Sequence, residues 1–93
     1  MGNQSKHFIV NINLKKLRKA IGLTQEEFSH VLKIKRSLLG AYEEQRAEVK
    51  TEVIKVCINK GFLLSNQLFD FMFIPSFKPT PTKHYKKVLI QTK

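Results

Sequence analysis

The sequence predicts an all-α fold: a compact domain of five short helices, with a short N-terminal arm over residues 1–11 and an extended tail over residues 75–93. Three observations carry that prediction. Apolar residues recur at helical spacing between residues 12 and 74, capping residues and glycines punctuate the recurrences, and three prolines fall together at Pro75, Pro79 and Pro81. Ninety-three residues with 42% hydrophobic content suffice for one modest core and one domain, not for a large catalytic cleft.

Asn11 and Asn13 both suit the N-cap of a first helix, in which Leu14, Leu17 and Ile21 form the apolar seam. Lys15, Lys16, Arg18 and Lys19 lie between them, giving a basic outer face, and Gly22 stops the helix. Thr24 followed by Glu27 matches the capping box, so a second helix is expected from there to about Leu32 with Phe28 and Leu32 facing inward. Ser29 provides a small side chain where a neighbouring helix can come close. A third helix runs from about Arg36 to Glu44, with Leu39 and Tyr42 inward. About three residues separate it from the second; antiparallel hairpins also use loops this short, but the small Ser29 favours two helices that cross steeply at a tight turn.

After a polar loop at Gln45 to Lys50, Val53, Ile54, Cys57 and Ile58 mark a fourth helix, ended by Gly61. Ser65 caps a fifth, with Leu68, Phe69 and Met72 inward and Phe71 as a further candidate. The domain is expected to end near Ile74, since PSFKPTPTKHYKK favours an extended, polyproline-like chain. The last apolar segment, KVLIQ, reads either as a short strand or as part of a disordered tail. As a strand, it would pair with the N-terminal HFIVNI or with the same segment of another subunit.

Composition narrows the function. Seventeen Lys and Arg against seven Asp and Glu give a formal charge of +10, which calls for a polyanion, an acidic lipid surface or an acidic protein as partner. Nucleic acid leads, because neutralising phosphates releases counterions. One cysteine, Cys57, forms no internal disulfide, and His7, His30 and His84 have no metal-ligand spacing, so no metal or cofactor is expected. FIVNI is too short for a signal-peptide core or a membrane span, and a soluble cytoplasmic protein is expected. Neither a catalytic constellation nor a phosphate-cradling glycine loop is present, so no enzyme activity or small-molecule ligand is expected.

The stretches LKKLRKAIGLTQEEFSHVL and RSLLGAYEEQRAEVK resemble the phage-repressor and Cro-like (XRE-like) helix-turn-helix domains over about Leu14 to Phe69. The resemblance implies that LTQEE opens the second helix, that Ser29 packs on the third, and that Tyr42-Glu43 closes the recognition helix. It also implies a partly buried ion pair between Arg18 and Glu43. The chain departs from the family pattern at Lys33 and Gln45, where Gly is usual, at Lys35, where a capping Ser or Thr is usual, and at Val49, where Pro is frequent. Lys33 must then adopt a left-handed conformation at about 1 kcal/mol, or the turn must change shape.

A recognition helix enters the major groove N-terminus first. By position, Lys35, Arg36 and Ser37 would contact bases, with Gly40 and Ala41 on the same exposed face and Ala41 limited to a thymine methyl. Arg36 is the candidate for guanine. Thr24 and Gln25 at the start of the second helix, and Arg46 and Lys50 after the third, would contact phosphates. If the family register holds, Leu38 and Val31 point outward. The expected function is binding of double-stranded DNA as a small regulator, a repressor, acting as a homodimer on a palindromic operator. The last helix, around Leu68, Phe69 and Met72, or the tail would supply the dimer contact. The alternative is a protein-interaction module of the same fold, an antitoxin or adaptor, which the sparse Gly40-Ala41 face and outward Leu38 and Val31 favour; single-stranded RNA binding ranks last for want of exposed aromatics beside a basic groove.

Overall fold

A computed structural model describes residues 5–79. They form five α-helices: α1 (Ser5–Ile21), α2 (Gln25–Leu32), α3 (Arg36–Glu43), α4 (Thr51–Asn59) and α5 (Leu68–Phe73), the last preceded by a 3₁₀ turn at Ser65–Gln67. No strand occurs among the described residues. The core is built from Leu14, Leu17, Phe28, Leu39, Tyr42, Cys57, Leu63 and Phe71, all at most 1% exposed. α1 runs through the middle of the domain and touches both α3 and α5.

Four helices end in the same way. At Gly22, Lys33, Gln45 and Gly61 the backbone turns left-handed, with φ of 89°, 61°, 64° and 82°. In each case the next amide reaches back five residues: Leu23 to Arg18, Ile34 to Ser29, Arg46 to Ala41 and Phe62 to Cys57, at 2.8 to 3.2 Å. This closure satisfies carbonyls that the helix end leaves free. Lys33 and Gln45 therefore take the conformation that glycine would adopt, each at about 1 kcal/mol, and the turn between α2 and α3 keeps its shape.

Helix starts are less uniform. The Thr24 hydroxyl accepts from the Glu27 amide at 3.1 Å and the Glu27 carboxylate accepts from the Thr24 amide at 2.9 Å, so the capping box is complete. Lys35 and Lys50, the N-cap residues of α3 and α4, make no side-chain cap. Ser65 opens the 3₁₀ turn without capping it; the Leu64 amide instead donates to the Gln67 side chain at 2.9 Å.

The N-terminal arm is replaced by helix from Ser5 onward, so HFIVNI is not a strand. Phe8, Ile9 and Val10 are half-buried along α1, and packing of that face overrides their β preference. Asn11 and Asn13 are not caps either. They lie inside α1, 1% and 0% exposed, and hold carbonyls of distant segments. The partner strand KVLIQ lies outside the described residues.

The domain also extends past Ile74. Phe77 is buried and meets Phe71 edge-to-face at 5.5 Å. Asn13 Nδ2 donates to the carbonyls of Phe71 and Ile74, and Lys16 Nζ donates to those of Pro75 and Phe77 at 2.7 and 3.3 Å. Phe71 is the inward residue of α5, whereas Phe69 is 65% exposed and stacks at 5.0 Å on Phe73, itself outward. Leu68 and Met72 are half-buried. Leu38 and Val31 do not stand outward but pack partly against the core. Gly40 is buried and Ala41 half-buried, so that face of α3 is more enclosed than its register suggests.

Candidate nucleic-acid interface

The base of the site is the ion pair of α1 and α3. Arg18 Nε donates to Glu43 at 2.7 Å and a second guanidinium nitrogen donates to its other carboxylate oxygen at 3.1 Å, a two-pronged contact. A third nitrogen reaches the Leu23 carbonyl at 2.8 Å, so Arg18 ties α1 to the entry of α2 as well. Glu43 is 6% exposed, and a carboxylate this buried is stable only because its charge is matched and its oxygens are bonded.

From Glu43 the bonding continues outward. Gln25 Nε2 donates to Glu43 at 3.0 Å, and Gln25 Oε1 faces an Arg36 guanidinium nitrogen at 3.4 Å. The last contact is long and exposed and contributes little energy. Gln25 is thus held from both ends of its amide, with one N–H left to donate to a phosphate. A run of side chains, Arg18 to Glu43 to Gln25 to Arg36, joins the buried helix crossing to the surface.

Lys35, Arg36 and Ser37 are all exposed at the start of α3, beside exposed Lys33 and Thr24. The Thr24 hydroxyl already accepts a cap bond but can still donate. Arg46 and Lys50 lie beyond the other end of α3, whose eight residues span about 12 Å. Both are exposed; Arg46 is paired with Glu44 at 2.9 Å, a surface contact that costs little to exchange for a phosphate. Ala41 is half-buried and adds no polar group. The sequence-predicted residues therefore fall into two groups, one at each end of α3.

Two features of the site escaped the sequence. The coupling of Gln25 to Arg36 links the first residues of two consecutive helices, eleven positions apart, and no local pattern marks it. Asn11 donates both N–H groups to α3 and the loop after it, a role indistinguishable in sequence from capping. No group of three or more metal-ligating side chains occurs among the described residues, and no helix among them is long and apolar enough to cross a membrane. Burial pushes the Cys57 thiol up to about 12.

Two helices joined by a tight turn, braced by a third and carrying cations where the second of them starts, define a helix-turn-helix protein. The helix-turn-helix family profile matches residues 14–59, from the first core leucine of α1 to the end of α4, and the chain belongs to this family through that segment. The XRE-like resemblance holds over the same residues. Antitoxin PezA of Streptococcus pneumoniae serotype 4 is 38% identical over 52 residues, covering 56% of this chain and 33% of that protein. The chain thus spans about a third of the length of the curated relative it matches. No solved structure matches significantly.

Proposed function

We propose that this chain binds double-stranded DNA as a small transcriptional regulator, a repressor, with α3 in the major groove. The observation that supports this most is the exposed Arg36 at the start of α3, next to Gln25, which Glu43 and Arg18 hold in place. A guanidinium so placed suits the two acceptors of guanine, while Lys35 and Ser37 supply further polar contacts. Thr24 and Gln25 on one side and Arg46 and Lys50 on the other reach phosphates and fix the register. One such domain reads a short half-site, so the proposed form is a homodimer on a palindromic operator. The exposed Phe69 and Phe73 on α5 are the proposed dimer contact. The proposed site of action is the cytoplasm, with no catalysis and no cofactor.

Selection from a pool of random duplexes tests the reading. A palindromic consensus whose affinity falls steeply with salt is the expected result. Equal, weak retention of every duplex would refute it.

A second reading is favoured by one observation, the similarity to a protein named as an antitoxin. In it the same fold holds a protein partner and binds DNA secondarily or not at all. Co-purification of one stoichiometric protein, with no selected duplex, would decide for it.

A further inference from the structure

We propose that Asn11, a buried residue of α1 outside the helix-turn-helix unit, positions the loop that carries Arg46 and Lys50 and so sets how many phosphates the domain engages. The inference rests on the DNA reading above. Asn11 is 1% exposed, and its Nδ2 donates to the carbonyl of Tyr42 at 2.6 Å and to that of Ala47 at 2.8 Å. Both neighbours are acceptors, so the amide nitrogen must face them. One bond ends in the last turn of α3 and the other in the loop, one residue after Arg46 and three before Lys50.

The loop has other ties, among them the Arg46–Glu44 ion pair at 2.9 Å and the Gln45 amide donating to the Tyr42 carbonyl at 3.0 Å. The Arg46 amide donates to the Ala41 carbonyl at 2.8 Å, and Val49 is buried at 9%. Glu44, Gln45, Arg46, Glu48 and Lys50 are exposed. Asn11 thus ties the last turn of α3 and the following loop to one point on α1, in addition to the Arg18–Glu43 pair, which holds the end of α3 but not the loop. A leucine there has no N–H and would leave both carbonyls without this donor, while Asn11 Oδ1 has no partner among the described residues to lose.

The structure supplies an internal control two residues away. Asn13 is equally buried and also donates to two carbonyls, but those belong to Phe71 and Ile74 of α5 and its exit. Asn11→Leu and Asn13→Leu therefore remove the same chemistry from the same helix, and only the first touches the phosphate-facing loop. Full-length variants would be compared with the wild type on one selected duplex across a salt series, well below their melting temperatures. Asn11→Leu is expected to flatten the slope of log affinity against log salt by about 0.9 for each phosphate that is no longer neutralised, up to about 1.8 per protomer for Arg46 and Lys50 together and twice that for a dimer on a palindrome. Asn13→Leu, compared at concentrations where gel filtration shows the same oligomeric state for all three proteins, is expected to keep the wild-type slope.

Equal slopes for the two variants, whether both match the wild type or both fall, would overturn the proposal. A DNA-free readout separates it from the function on which it rests: amide exchange at Arg46 to Glu48 should accelerate in Asn11→Leu and not in Asn13→Leu. If the wild type shows no salt-sensitive duplex binding, the DNA reading fails and exchange alone decides whether Asn11 holds the loop. If Asn11→Leu does not fold, Asn11→Ser, smaller and still a donor, gives the same comparison at lower amplitude.

Discussion

Gly40 sits in the interior of α3 and is buried, yet a Cβ added there meets nothing within 4 Å. Glycine in a helix interior costs about 1 kcal/mol relative to alanine, because it gives up the most backbone freedom on folding. Gly40→Ala is therefore expected to raise stability by about 1 kcal/mol in urea unfolding, and an unchanged or lower midpoint would contradict this placement. Cys57 makes the opposite kind of prediction. Its thiol is raised from 9.0 to about 12 by burial, so the folded state favours the protonated form. That contribution is complete below pH 9.0 and is lost as pH rises toward about 12, because the unfolded chain releases the proton first. The stability difference between wild type and Cys57→Ala should shrink over that range, and alkylation of the folded wild type at neutral pH should proceed only through opening. Rapid labelling of the folded chain would refute the burial. At this scale the sequence was legible where a side chain acts within its own turn, as Thr24 and Glu27 do. It was not legible at Asn11 and Asn13, whose partners lie thirty or more positions away.

Among the elements, α2 and α3 were readable because apolar spacing and punctuation agree: Phe28 and Leu32 on one, Leu39 and Tyr42 on the other. The start of α1 was not, since Phe8, Ile9 and Val10 favour strands locally and are helical here through packing. α5 was ambiguous for a different reason. LFDFMF has apolar residues on every side, so periodicity alone does not choose between Phe69 and Phe71. The domain boundary was obscured by Pro75, which announces a break in helix but says nothing about whether Phe77 docks. Phe77 is buried on Phe71, and removing a phenyl ring from such a position costs about 3 to 5 kcal/mol. Phe77→Ala should lower the denaturation midpoint accordingly, and a chain ending at Ile74 should lose a comparable amount. Unaltered midpoints in both would return the boundary to residue 74.

For the whole molecule, a charge of +10 is distributed so that cations stand at both ends of α3: Lys33, Lys35 and Arg36 at its start, Arg46 and Lys50 beyond its end. Charge alone favours any polyanion, and what points it toward duplex DNA is its placement on a helix-turn-helix, with Arg36 exposed at the start of α3. The family was legible from sequence because the motif residues cluster within one stretch; sequence reading of DNA was less so, because Gly40 and Ala41 leave α3 few side chains to offer. In the proposed reading, base discrimination is concentrated on Arg36, and the phosphates supply most of the affinity. The measurement that bears most directly on this is a comparison of wild type and Arg36→Ala against a selected duplex and its single-base variants. Arg36→Ala is expected to weaken binding by about 1 to 3 kcal/mol and to abolish preference at one position in each half-site, leaving the salt slope nearly unchanged. Identical base preferences in the two proteins would contradict it.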